Sequence, residues 1–145
     1  MLALCDTDGL RPRSSDAQVV FLKLRILAVA AAVPLLMRLP LPRLAAFLEP
    51  RRRPAAPRPH AAATVAAVEA MLRRRSRLVR PSCLTRGVTR YWFLRRAGLD
   101  VILCFGMGTP VGEPAGHCWI LRDGEPYLEA VDPRPLFVET YRMPA

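Results

Sequence analysis

A β-hairpin is the most strongly specified element of this sequence. Asp123-Gly124 lies between two apolar-rich segments, and this dipeptide favours the two-residue type I′ turn, in which both residues adopt positive φ. We therefore expect two antiparallel strands, over residues 117–122 and 125–131. Any fold proposed for the chain has to accommodate this hairpin.

The register of the hairpin predicts which side chains share a face. Continued along both strands, the pairing sets His117 opposite Ala130 and Cys118 opposite Glu129. Asp132 lies two positions beyond Ala130 and therefore falls on the His117 face, at a diagonal distance that side chains can span. The register thus favours Asp132 over Glu129 as a carboxylate partner for His117.

The chain before the hairpin predicts a helix followed by a strand. Ser82 is a suitable N-cap for a helix over residues 83–97, and Gly98 is placed to end it. The apolar run 101–105 is too short for another helix and predicts a buried strand. Residues 106–116, rich in glycine and proline, are interpreted as a loop.

The N-terminal part is basic and helical. The chain has 145 residues, which suits one compact domain, and its net charge of +10 lies wholly before residue 83 (15 − 5 = +10 for residues 1–82, 7 − 7 = 0 afterwards). The neutral C-terminal part lacks the basic surface that nucleic-acid binding requires. We expect residues 1–60 to form a helical extension that ends in an exposed Pro/Arg linker, and residues 61–145 to form the main domain.

Within these parts, the sequence predicts a helix from residue 19 to about residue 33, punctuated by Pro34, and a second helix over residues 61–77. The longest uncharged run, residues 26–37, has 12 residues (37 − 26 + 1), against about 20 for a membrane-spanning helix. We expect no signal peptide, no membrane contact and a cytoplasmic location. The four cysteines lack metal-site spacing, so we expect reduced thiols, no metal and no cofactor.

The residues suited to chemistry are Cys83 and His117. Cys83 falls in the first turn of the predicted helix, where the dipole favours a thiolate and free backbone N–H groups can hold an oxyanion. His60 lies in the linker, which leaves His117 as the base, and the chain has no asparagine, so a third member has to be an acid. This set fits peptide hydrolysis, amide hydrolysis or transamidation.

The same residues also have ordinary structural interpretations. A cysteine on a helix and a histidine in a strand are more often packing residues, and we expect Cys104 and Cys118 to be core thiols. Trp119 and Arg86 are weaker candidates for substrate binding. Trp119 would more commonly pack against the helix, and Arg86, with Arg90 one turn later, would more commonly lie on a solvated helix face.

Four short motifs together resemble a known group of enzymes. CLTRG at the helix start, RRAGLDV at its exit, GHCW, and VDP after the histidine are similar to the transglutaminase-like cysteine proteases, and more narrowly to the lasso peptide biosynthesis B2 proteins. The resemblance implies a papain/transglutaminase-like α+β fold with the catalytic helix on a short antiparallel sheet. It also implies Cys83 as nucleophile, His117 as general base and Asp132 as orienting acid, without a cofactor.

The resemblance also implies a pathway and partners. B2 proteins are cysteine peptidases that remove the leader from a ribosomally synthesised precursor peptide. They act with a separate leader-recognition (B1) protein and pass the core peptide to a macrolactam synthetase. The alternatives are a non-catalytic adaptor of the same fold and an amidase or transamidase that uses the same three residues.

Overall fold

The computed structural model describes residues 13–74 and 82–144, and this part of the chain forms an α+β fold. Four helices precede four strands, and the antiparallel sheet has the strand order β3-β2-β1-β4. The elements are α1 (Arg13–Leu36), α2 (Leu41–Leu48), α3 (Ala61–Arg73), α4 (Cys83–Arg96), β1 (Ile102–Gly108), β2 (Ala115–Arg122), β3 (Glu125–Tyr127) and β4 (Phe137–Met143).

The hairpin turn forms as predicted. Asp123 and Gly124 have φ values of 53° and 81°, as a type I′ turn requires, and Arg122 pairs with Glu125. The predicted strand over residues 125–131 is too long, however, because β3 ends at Tyr127. Leu128 adopts a positive φ of 62°, which turns the chain out of the strand. The predicted pairings beyond Tyr127 are therefore wrong.

The segment predicted as a loop contributes to two strands. β1 continues to Gly108 and β2 begins at Ala115, so glycine marks close packing here and not an irregular connection. A Cβ atom at Gly106 would lie 2.7 Å from the Trp119 ring, so only glycine leaves room for that side chain. The sequence analysis missed β4, which pairs with β1 and completes the sheet.

Helix α4 begins where the sequence predicts and ends one residue earlier, at Arg96. The Ser82 hydroxyl accepts a hydrogen bond from the Thr85 amide at 3.1 Å, and Gly98 follows the helix with a φ of 86°. Its inner face packs on the sheet and forms the main core with strand residues. The fully buried members of this contact include Val88, Tyr91, Leu94, Leu103 and Ile120.

The N-terminal helices pack on the other side of α4. Helix α1 buries Ile26, Ala30 and Val33, and it continues past Pro34, where the sequence analysis ended it. Helix α3 ends at Arg73, and residues 75–77 of its predicted extent lie outside the described residues. Leu44 and Leu48 of α2 belong to the main core, which therefore includes residues from both sides of the expected boundary at residue 60.

Helix α1 has the length and composition of a membrane-spanning helix. Its segment Asp16–Leu36 has 21 residues, and an 18-residue window within it has a mean hydropathy of 2.2. Core helices of soluble proteins and signal sequences can have the same properties, so this observation alone is weak evidence for a membrane span. In the folded chain one face of α1 lies against α3 and α4.

A buried ion-pair network joins α3, α4 and the chain after β3. Arg90, predicted to be solvated, is only 6% exposed. Its Nε and Nη2 atoms donate to the Glu69 carboxylate at 2.8 and 3.0 Å, and its Nη1 donates to Glu129 at 2.8 Å. The prediction was wrong because helix α3 and residue 129 cover this side of α4, which helical periodicity alone does not reveal.

Replacing Arg90 with alanine should strongly destabilise the fold. The substitution leaves the Glu69 and Glu129 carboxylates buried without their partner, which costs about 3–5 kcal/mol in comparable networks. Arg86→Ala, one turn earlier on the exposed side of α4, should change the free energy of unfolding by less than about 0.5 kcal/mol. Urea denaturation of both variants measures the difference, and equal losses would contradict the structural role given to Arg90.

Candidate functional site

Cys83 is the first residue of α4 and presents its thiol at the start of that helix. The side chain is half-buried, and its sulfur lies 4.0 Å from the carbonyl oxygen of Gly116. Ser82 caps the Thr85 amide, whereas the amides of Cys83 and Leu84 have no acceptor among the described residues. Helix N–H groups without an acceptor in the described part of the chain can hold an oxyanion that forms beside this sulfur.

The Gly116 carbonyl places this thiol at an open edge of the sheet. Strand β3 pairs only with residues 120–122 of β2, so the first half of β2 has no strand on that side in the described part of the chain. Pro126 has no N–H, which makes Leu121–Pro126 a pair without mutual hydrogen bonds. Even-numbered residues of β2 therefore direct their backbone groups away from β1, and the carbonyl of one of them, Gly116, lies beside the Cys83 sulfur.

His117 follows Gly116 but projects to the other face of the sheet. Its ring lies 4.9 Å from the Phe137 ring and 6.0 Å from the Trp119 ring, measured between centroids. Cys118 occupies the face that meets α4, where a Cβ atom at Gly87 would overlap its sulfur. The structure thus brings Cys83 to the backbone beside His117 without placing the thiol and the imidazole on the same face.

Burial keeps the His117 imidazole in its neutral form. Desolvation lowers the pKa of His117 below its usual 6.5, because the protonated ring would lose hydration beside the two aromatic rings. No hydrogen bond to His117 is present among the described residues. A neutral imidazole can accept a proton, which is the property a general base needs near pH 7.

Asp132 is exposed to solvent and bonded to Arg134. The Arg134 guanidinium and backbone amide donate to its carboxylate at distances between 2.7 and 3.0 Å, and these bonds lower the pKa of Asp132. The register argument that put Asp132 on the His117 face depended on the strand continuing past Tyr127, where the chain instead turns away. The structure does not join Asp132 to His117 by a hydrogen bond.

Glu129, the other carboxylate considered, lies on the α4 side of the sheet. Its carboxylate accepts the hydrogen bond from Arg90, and burial raises its pKa above the usual value despite that partner. Neither carboxylate therefore contacts the imidazole in this conformation.

Trp119 and Arg86 occupy different surroundings. Trp119 is buried with Cys104 on the face of the sheet away from α4, so the expectation that it packs against the helix was wrong. The cause is that Trp119 shares the face of His117, which lies away from α4, whereas Cys118 faces the helix. Arg86 is exposed and lies one turn after Cys83 on α4. Sequence analysis missed Phe137, because its strand, β4, was not predicted.

The other two described cysteines are more deeply buried than Cys83. Cys104 and Cys118 are core thiols, as expected, with exposed fractions of 0% and 2%. Burial raises the pKa of Cys104 to about 12 and raises that of Cys118 as well. Among the described residues there is no group of three or more His, Cys, Asp or Glu side chains that could hold a metal ion.

Comparison with protein families identifies the fold family. A model of the transglutaminase-like superfamily matches residues 26–142. This range extends from the middle of α1 into β4, and it includes both Cys83 and His117. The chain belongs to the transglutaminase-like superfamily. Members of this superfamily are typically cysteine-protease-like enzymes. Searches of curated proteins and of solved structures found no match.

Cys83 should be the thiol of the described region that alkylates in the native protein. In a Cys5→Ser background, iodoacetamide at pH 7.5 should modify Cys83 at least roughly tenfold faster than Cys104 or Cys118, because only Cys83 is accessible. Peptide mapping by mass spectrometry measures the three rates. Comparable modification of Cys118 without denaturant would contradict the packing of Gly87 against it.

His117 should make the fold less stable in mild acid. Its folded-state pKa is lowered, so the unfolded chain binds more protons below pH 6.5, and the free energy of unfolding falls as pH decreases through the two pKa values. His117→Gln should lose this part of the pH dependence, whereas His60→Gln, in the exposed linker, should keep it. Thermal unfolding of the three proteins across this pH range is the measurement, and identical slopes would contradict the burial of His117.

Proposed function

We propose that this protein is a cysteine peptidase that removes the leader from a ribosomally synthesised precursor peptide of a lasso-type pathway, with Cys83, His117 and Asp132 as its catalytic residues. The observation that carries the proposal is the position of the Cys83 thiol. It lies half-buried at a capped helix N-terminus, 4.0 Å from the carbonyl oxygen of the residue that precedes His117. Membership of the transglutaminase-like superfamily supports cysteine-based acyl transfer.

In the proposed reaction the Cys83 thiol loses its proton to His117 and the sulfur attacks the scissile carbonyl carbon. The amides of Cys83 and Leu84, which have no acceptor among the described residues, hold the oxyanion of the tetrahedral intermediate. His117 then protonates the leaving amine as the C–N bond breaks, which leaves a thioester on Cys83. Water, deprotonated by His117, attacks the thioester, and the thiol and the carboxylic acid product are released. The chemistry consumes one water and needs no cofactor.

Proton transfer requires the imidazole to move from its resting position. We propose that rotation about the side-chain bonds of His117, away from Phe137, carries the ring toward the open edge of β2, where the thiol lies. Hydrogen bonds between catalytic groups are often long without substrate and tighten in the substrate complex. A substrate that fills this edge would stabilise the rotated form.

Asp132 is proposed to orient the imidazole after this rotation. Arg134 keeps its carboxylate ionised, so it can accept a hydrogen bond from the imidazole N–H and stabilise the imidazolium. To accept that hydrogen bond, the Asp132 carboxylate would give up part of its contact with Arg134.

The proposed substrate and partners follow the motif resemblance. The leader peptide would be presented by a separate B1-type recognition protein, and the core peptide would pass to a macrolactam synthetase in the cytoplasm. Arg86, exposed one turn from the thiol, is a proposed substrate contact. Trp119 is proposed to contribute through its stacking on His117, since it is itself buried.

The direct test is cleavage of a precursor peptide. The wild-type protein, incubated with precursor and a B1-type protein, should cut one bond, which mass spectrometry detects. Cys83→Ala and His117→Ala should lower the rate by at least about 10³-fold. The matched variants Cys104→Ala and His60→Ala, checked for folding by circular dichroism, should keep the activity, and equal losses in all four would contradict the assignment.

A second comparison identifies the acid. Asp132→Asn should lower kcat by roughly 10²–10⁴-fold, because an amide cannot stabilise the imidazolium. Glu129→Gln should act mainly on stability, through Arg90. If Glu129→Gln removed activity at a temperature where it stays folded and Asp132→Asn did not, Glu129 would replace Asp132 in the mechanism.

One observation favours a second candidate, a non-catalytic binding domain of the same fold. The resting imidazole and the Cys83 thiol project to opposite faces of the sheet. In that case the precursor would stay intact while still binding, and Cys83 would alkylate no faster than a free thiol.

Adding a primary amine to the cleavage assay separates peptidase from transamidase chemistry, because the latter yields an amide product.

A further inference from the structure

Helix α1 is apolar on two opposite faces. The inner face buries Ile26, Ala30 and Val33 against α3 and α4. The outer face carries six exposed apolar residues at spacings of three and four. We call this set the outer stripe: Ala17, Val20, Leu24, Ala28, Ala31 and Leu35. A helix that is apolar all round is normally covered on both sides.

The exposure of the outer stripe is large for a surface helix. Val20, Leu24 and Leu35 are 55%, 59% and 64% exposed. At 1.5 Å per residue the stripe runs for about 27 Å along the helix. Near its C-terminal end, the exposed Phe47 borders a shallow apolar cleft between α1 and α4 with a volume of about 230 Å³. A continuous apolar surface of this extent marks an interaction site.

Basic residues flank the stripe. Lys23 and Arg25 are the neighbours of Leu24 in sequence, so they project about 100° to either side of it around the helix. Residues 16–60 contain eight Lys or Arg residues and two acids, a net charge of +6 (8 − 2). One of the acids, Glu49, is already paired with Arg95. Lys23 and Arg25 therefore place positive charge beside the stripe, in a segment that is basic as a whole.

We propose that the outer stripe binds the surface of an anionic lipid bilayer, with α1 lying in the plane of the interface. Apolar side chains enter the acyl boundary while long basic side chains extend to the headgroups. The helix does not span the bilayer, because its inner face belongs to the folded core. A second copy on the stripe would bring two basic surfaces together, whereas anionic headgroups complement them. The sequence analysis expected no membrane contact because the longest uncharged run is too short to span a bilayer. That criterion does not apply to a helix that lies on the bilayer surface.

The test is co-sedimentation of the full chain with lipid vesicles. It should bind vesicles of phosphatidylcholine with about 30% phosphatidylglycerol more tightly than phosphatidylcholine alone, and 0.5 M NaCl should weaken the binding to the anionic vesicles, since each basic residue near the surface contributes to the attraction. The double variant Val20→Glu and Leu24→Glu should reduce binding at least about tenfold, because two side chains that would enter the bilayer become charged.

Val111→Glu is the matched control. Val111 is 91% exposed in the β1–β2 connection, far in sequence from α1, and this variant should bind as the wild type does. Circular dichroism confirms that each variant is folded. Absence of binding to anionic vesicles, equal binding by the α1 variant, or a dimer in light scattering that the α1 variant dissociates would overturn the proposal. The last result would assign the stripe to a second copy of the chain.

Discussion

The buried guanidinium of Arg90 fixes the relative positions of three separate parts of the chain. It connects α4 to Glu69 on α3 and to Glu129 in the segment that leaves the hairpin. Ion pairs at this depth are costly unless both charges stay paired, so the geometry tolerates little displacement. β3 ends at Tyr127, where the positive φ of Leu128 turns the chain, and Arg90 holds the segment that follows through Glu129. The first half of β2 therefore keeps an open edge in the described part of the chain, and the Cys83 thiol lies beside it.

Local signals determined the elements that the sequence predicted well. The Ser82 cap, the Gly98 stop and the Asp123-Gly124 turn each depend on a backbone conformation set by one or two residues, and each forms as expected. β4 and the second half of β1 depend on packing between distant residues. Gly106 belongs to a strand because Trp119 occupies the space over it, a reason that is absent from the local sequence.

The site was predicted in part, for the same reason. The motifs selected Cys83 and His117, and the fold brings the thiol beside the backbone of the histidine although 34 positions separate them (117 − 83). The directions of the His117 and Asp132 side chains were harder to predict than the position of the Cys83 thiol. Extending the register past Tyr127 assumed a straight strand, and the positive φ of Leu128 ends it. The face of Asp132 was therefore an extrapolation, and the stacking of His117 on Phe137 required a strand that was not foreseen.

The contact between Gly87 and Cys118 has an implication for how this family can vary. The absence of a side chain at Gly87 lets the α4 backbone rest on the Cys118 sulfur, so the volumes at these two positions are complementary. A larger residue at either position would lift the first turns of α4 from the sheet and shift Cys83 with them. Homologues that keep the thiol in place should therefore exchange size between positions 87 and 118, and divergence at one should be accompanied by compensation at the other.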